Sequence, residues 1–94
     1  MAIILKERTT ALTAIIERSD GKYVIFCPEL DLATEADTPE AAVDDLVDMA
    51  ADYADQYSAE FKKFSSSPNR AAHAPFIAAI RELGTTEKIK SLFT

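Results

Sequence analysis

Apolar and polar residues recur first at a period of two and then at the helical period, and this switch organises the chain. In Leu12-Thr-Ala-Ile-Ile-Glu17, β-branched residues and alternation place Leu12, Ala14 and Ile16 on one face of a strand. Arg18-Ser19-Asp20-Gly21 follows, and the Asp-Gly pair supplies the positive-φ positions of a tight hairpin. Lys22-Tyr-Val-Ile-Phe-Cys27 returns as a second strand, with Val24 and Phe26 opposite in sense to Tyr23 and Ile25. Pro28 has no N–H for a ladder and ends it. A third short strand is expected from Leu32 to Ala36, and Ile3-Ile4-Leu5 leaves open how far the first strand extends backwards.

From Thr38 the period changes. Thr38 is a good N-cap, Pro39 suits the first helical position, and Glu40 complements the dipole. Val43, Leu46, Val47, Ala50, Tyr53, Ala54 and Tyr57 recur at helical spacing, while Glu40, Asp44, Asp48, Asp52 and Asp55 fill the opposite arc. The pattern predicts an amphipathic helix from Pro39 to Tyr57 that covers the sheet. Beyond it lie a short helical stretch from Ala59 to Phe64, a Ser65–Asn69 loop, and a second amphipathic helix from Arg70 to Leu83. Pro75 requires that helix to start near Ala74 or to kink. Gly84 is a C-cap candidate, and Thr85 a cap for a last turn bearing Ile89, Leu92 and Phe93.

Strands followed by helices define an α+β fold: a three-stranded antiparallel sheet packed by one amphipathic helix, plus C-terminal helices. Residues 1–57 would form the β-β-β-α domain, and residues 58–94 a helical extension packed on the same domain. Ninety-four residues suffice for one modest core. No apolar run is long enough to span a bilayer as a helix. Charge at Lys6, Glu7 and Arg8 interrupts any leader-like run, and the single Cys27 allows no internal disulfide, so a cytoplasmic location is expected.

Charge is unevenly spread. The net −6 divides into seven acids and four bases over residues 1–37, six acids and no base over 38–57, and three acids and six bases over 58–94. An acidic total argues against general nucleic-acid binding and suits a basic partner. Like charges at i,i+4 disfavour a helix, so an acidic face without one i,i+4 lysine points to charge held for a partner. Asp44, Asp48, Asp52 and Asp55 are therefore the candidate partner-binding residues, although a merely solvated face shows the same pattern.

Residue types exclude most chemistry. His73 is the only histidine, which removes any His-paired or multi-His site, and its alanine neighbours suit a structural or surface role rather than a base. Cys27, before Pro28, is expected to be a half-buried structural thiol. Two glycines, Gly21 and Gly84, cannot make a phosphate loop. Glu17, Glu29, Asp31 and Glu35 lie at strand ends or in loops; a Mg²⁺ nuclease would need them to converge, which nothing in their spacing requires. No catalytic residue, cofactor or metal is expected.

The run from Gly21 to Val43 resembles the HicB-like antitoxin family. Pro28-Glu29-Leu30 closing a hairpin strand, and Asp37-Thr38-Pro39-Glu40-Ala41-Ala42 opening a helix, carry the resemblance over residues 10–57. It departs where Asp31-Leu32-Ala33 replaces the Pro-Gly-Cys of many members, and where Ala36 replaces a glycine. Residues 58–94 fit neither the helix-turn-helix nor the ribbon-helix-helix that such antitoxins commonly carry. The resemblance implies a partial RNase H-like fold without nuclease carboxylates. It also implies an antitoxin that occludes the active site of a small basic HicA-like ribonuclease toxin. Two other readings stay open: an orphan HicB-like oligomeric domain with a structural or regulatory role, and a DNA-binding autorepressor using Arg70, Arg81, Lys88 and Lys90. Open sheet edges, with Phe76, Ile80, Leu92 and Phe93 beyond the family core, suggest a homo-oligomer.

Overall fold

The computed structural model describes residues 11–93; Ile3-Ile4-Leu5 lies outside them. Strands β1 (Ile15–Ser19), β2 (Lys22–Cys27) and β3 (Leu32–Ala36) form one antiparallel sheet in the order β1-β2-β3. Helix α1 (Pro39–Ala59) follows, then α2 (Phe61–Ser65), a 3₁₀ turn (Ala71–His73), α3 (Ala74–Leu83) and α4 (Thr86–Lys90). The α+β sheet-and-helix architecture read from the sequence is the one observed.

Local chemistry explains the boundaries. Ser19 pairs with Lys22, leaving Asp20 and Gly21 as a two-residue turn with φ of 52° and 78°, the left-handed pair that a type I′ hairpin needs. The Cys27–Leu32 pairing leaves Pro28–Asp31 as a four-residue turn, which Asp31 completes at φ 56°. Asp tolerates this region better than most residues, because its side chain bonds locally. Thr38 caps α1, its Oγ1 accepting from the Ala41 N–H at 3.1 Å, with Pro39 at the first helical position. Pro75 does not kink α3. The helix begins at Ala74 after the 3₁₀ turn, so Pro75 falls in its first turn, where no N–H is needed. Gly84 ends α3 at φ 82°, and Thr85 accepts from the Lys88 N–H to start α4.

Two expectations need correcting. The first strand starts later than predicted. Leu12 is not part of it but is fully buried, bridges Phe93 in parallel, and donates its N–H to the Leu92 carbonyl at 2.9 Å. This is a long-range pairing that local alternation cannot reveal. Phe76, Ile80, Leu92 and Phe93 are also not a free surface: Ile80 is buried and the others pack against the core.

The core lies between the sheet and the C-terminal helices. Ile25, Cys27 and Leu30 meet Leu46, Val47, Ala50, Tyr53 and Tyr57 of α1, and Ile77, Ile80 and Ile89 close the other side. β1 stands apart from it. Ile15 and Ile16, on opposite faces of that strand, remain 36 % and 41 % exposed.

Candidate functional site

The apolar arc of α1 is wide enough to serve both the sheet and α3–α4, which divides its acids between two borders. On the α3–α4 border, Asp44 pairs with the Lys90 Nζ at 3.3 Å and Asp55 with an Arg81 nitrogen at 2.9 Å. Asp48 lies beside them, in a groove with Val47, Thr86, Glu87 and Lys90. On the β3 border, Asp52 lines a recess of about 320 Å³ with Leu30, Asp31, Leu32, Met49, Tyr53, Gln56 and Arg70. All four candidate aspartates are exposed. The structure thus places Asp44, Asp48 and Asp55 along the α3–α4 border and Asp52 at the β3 border of the same exposed arc.

The view that this helix forgoes ion pairs is corrected: its cations arrive 46 and 26 residues later in the chain, beyond any i,i+4 test. Exposed pairs of this kind contribute little and exchange partners readily. The same contacts place Arg81 and Lys90, two of the cations considered for DNA binding, against carboxylates of α1. Arg70 sits 5.3 Å above the Tyr53 ring and 5.4 Å above the Phe64 ring.

His73 is a structural residue, buried at 5 % exposure. The Tyr53 hydroxyl lies 2.6 Å from its Nδ1 and accepts from Arg70 at 3.3 Å. Either partner can donate in the Tyr53–His73 bond, according to which ring nitrogen of the imidazole carries the proton. Burial pushes the His73 pKa below its ordinary 6.5; Asp31 opposes the shift and Arg70 reinforces it. The unfolded chain therefore takes up this proton first. Stability from His73 is complete above about 6.5 and is expected to fall as pH drops below that value. Urea midpoints at pH 7.5 and 5.5 should differ in the wild type, and differ less in His73→Gln.

Glu29 clamps the β2–β3 turn to the chain before β1. Its carboxylate accepts from the Thr13 N–H at 2.9 Å and the Thr13 hydroxyl at 2.7 Å, with the Cys27 thiol at 3.4 Å. Burial alone would raise its pKa, but the Thr13 bonds outweigh this and hold it below the usual carboxylate range. Its contribution is present above the unfolded carboxylate value and is lost as pH falls through the lowered one. Glu29→Gln should lose about 1–3 kcal/mol at pH 7 and flatten the acid limb of the stability–pH curve, as read by denaturant titration. Cys27 is fully rather than half buried, and burial pushes its thiol up to about 11. That suits an inert core residue better than a nucleophile.

The other carboxylates do not converge. Glu17 and Glu35 pair across Val24 on the sheet face turned away from α1, Glu29 is held by Thr13, and Asp31 is in the turn. Among the described residues, no group of three or more His, Cys, Asp or Glu side chains is placed to hold a metal. No helix among them is long and apolar enough to cross a membrane. Among the described residues the surface presents acidic borders, shallow recesses and outer strand edges that no further strand pairs. The Glu29 clamp and the Tyr53–His73–Arg70 network were not legible beforehand, because neither has a local spacing signal.

A family model described as antitoxin of toxin-antitoxin, RelE / RelB, TA system matches residues 1–94. No curated protein matches the chain. A solved structure from Syntrophomonas wolfei subsp. wolfei, assigned as an antitoxin part of a toxin/antitoxin system, superposes with a TM-score of 0.84 at 22 % identity. The match covers 92 % of this chain and 62 % of that one. At such identity the likeness concerns the fold.

Proposed function

The chain belongs to the family of antitoxins from RelE/RelB-type toxin–antitoxin systems, and we propose, from its HicB-like resemblance and its acidic charge, that it binds and neutralises a small, basic, HicA-like ribonuclease toxin. Neutralisation would come from occluding the toxin's active site, with no catalysis by this chain. The HicB-like reading, with its partial RNase H-like sheet, rests separately on the resemblance of the Pro28-Glu29-Leu30 turn and the Asp37–Ala42 helix opening. The observation that carries the proposal is the acidic exposed surface of α1, where Asp44, Asp48, Asp52 and Asp55 lie opposite the buried apolar arc. Such a field steers a basic protein into place and chiefly sets its association rate. Asp44 and Asp55 would exchange Lys90 and Arg81 for cations of the toxin.

Changing Asp44, Asp48, Asp52 and Asp55 together to Lys should leave a folded protein, since exposed substitutions typically shift stability by less than about 0.5 kcal/mol each. Its association rate with the co-encoded toxin should fall by about tenfold or more at low salt, and the difference should shrink as salt rises. Equal rates for variant and wild type would make the acidic face a solvated bystander.

One observation favours self-association besides toxin binding: Ile15 and Ile16 are exposed on both faces of edge strand β1. Pairing along this edge gives both of them neighbours. Light scattering at high micromolar concentration is expected to give a mass above 10.3 kDa for the wild type. Ile16→Lys should return it to the monomer.

A further inference from the structure

We propose that the free edge of β3 receives an extended, basic segment of the toxin as a fourth strand, a reading that rests on the antitoxin function above. β3 ends the sheet, and no strand pairs with its outer side among the described residues. Two recesses flank its beginning, one on each side of the sheet. The first, about 320 Å³, lies toward α1 and is bordered by Asp31, Leu32 and Asp52. The second, about 380 Å³, is lined by Phe26, Cys27, Pro28, Asp31, Leu32 and Ala33. Asp31 and Leu32 form a wall common to both.

An added strand alternates its side chains between the two faces of a sheet, so consecutive residues of one segment would enter these two recesses. Main-chain hydrogen bonds to the edge then supply affinity, and the recesses supply selectivity. The second recess is mostly apolar and takes an aliphatic or aromatic side chain. The first has carboxylates at its rim and takes a cation.

Charge selects the occupant. Asp31, Glu35 and Asp52 border this edge and make no ion pair among the described residues, while the nearby Arg70 is engaged with Tyr53 and Phe64. A second copy paired along β3 would bring two such acidic borders together, which like-charge repulsion opposes. The β1 edge carries Arg18 beside Glu17 and lacks that obstacle.

Amide hydrogen exchange on the wild-type protein, alone and in complex with the co-encoded toxin, tests this without a variant. Amides of Leu32–Ala36 are expected to slow by about tenfold or more in the complex. Glu35→Lys with Asp52→Lys should weaken the complex by about tenfold or more while the free protein melts as before. A complex that forms while β3 exchanges as fast as in the free protein would overturn strand addition and leave the antitoxin reading standing. Failure of the wild type to form any complex would remove the antitoxin reading, and this proposal with it. Slowed β3 exchange that depends on protein concentration without toxin would identify a second copy as the occupant and also overturn it.

Discussion

Leu46→Ala is expected to remove about 2–5 kcal/mol of unfolding free energy, the range for a buried leucine whose cavity cannot fully collapse. Leu46 is fully buried at the centre of the core, on the arc of α1 that meets Ile25 and Cys27. Natural domains keep only about 5–15 kcal/mol in total, so this single truncation should bring the protein near its unfolding threshold at 37 °C. Chemical denaturation measures it directly. The midpoint should fall with little change in slope. A loss under about 0.5 kcal/mol would mean that α1 does not pack through this arc.

The second large effect concerns the C-terminal segment. We propose that residues 1–57 and 58–94 fold as one unit, so a chain ending at Tyr57 should not fold alone. Ile77, Ile80 and Ile89 would be missing from the core, and each buried aliphatic side chain contributes about 1.5–3 kcal/mol. The partner of the Leu12 N–H would also be absent, and Tyr57 would lose the Arg70 carbonyl that accepts its hydroxyl at 2.9 Å. Together these approach the whole stability of a domain this size. Circular dichroism of the 1–57 fragment should show little helix and no cooperative melt. A sharp thermal transition with dispersed amide resonances would establish residues 1–57 as a domain by themselves.

What could be read beforehand was local. The Asp20-Gly21 turn, the Leu32–Ala36 strand, the Thr38-Pro39 helix opening and the Gly84 stop each carry their signal within a few residues. What could not be read depends on distant contacts. Nothing near Leu12 announces Phe93, nothing near Asp44 announces Lys90, and Glu29 reveals its role only when Thr13 is beside it. Burial of His73 is a similar case, because alanine neighbours suggest surface and interior equally. The arc of acids on α1 was legible from helical spacing, but the Lys90 and Arg81 that face Asp44 and Asp55 and the recess beside Asp52 were not, since these depend on how α1 is wedged between sheet and helices.

Toxin neutralisation is tested most directly by titrating the purified chain into its co-encoded toxin while following cleavage of a structured RNA. Activity should fall in proportion to added protein and vanish at a fixed stoichiometry, with the complex surviving gel filtration at low salt and weakening as salt rises. Undiminished cleavage at several-fold excess of folded protein, with the two proteins eluting separately, would contradict it.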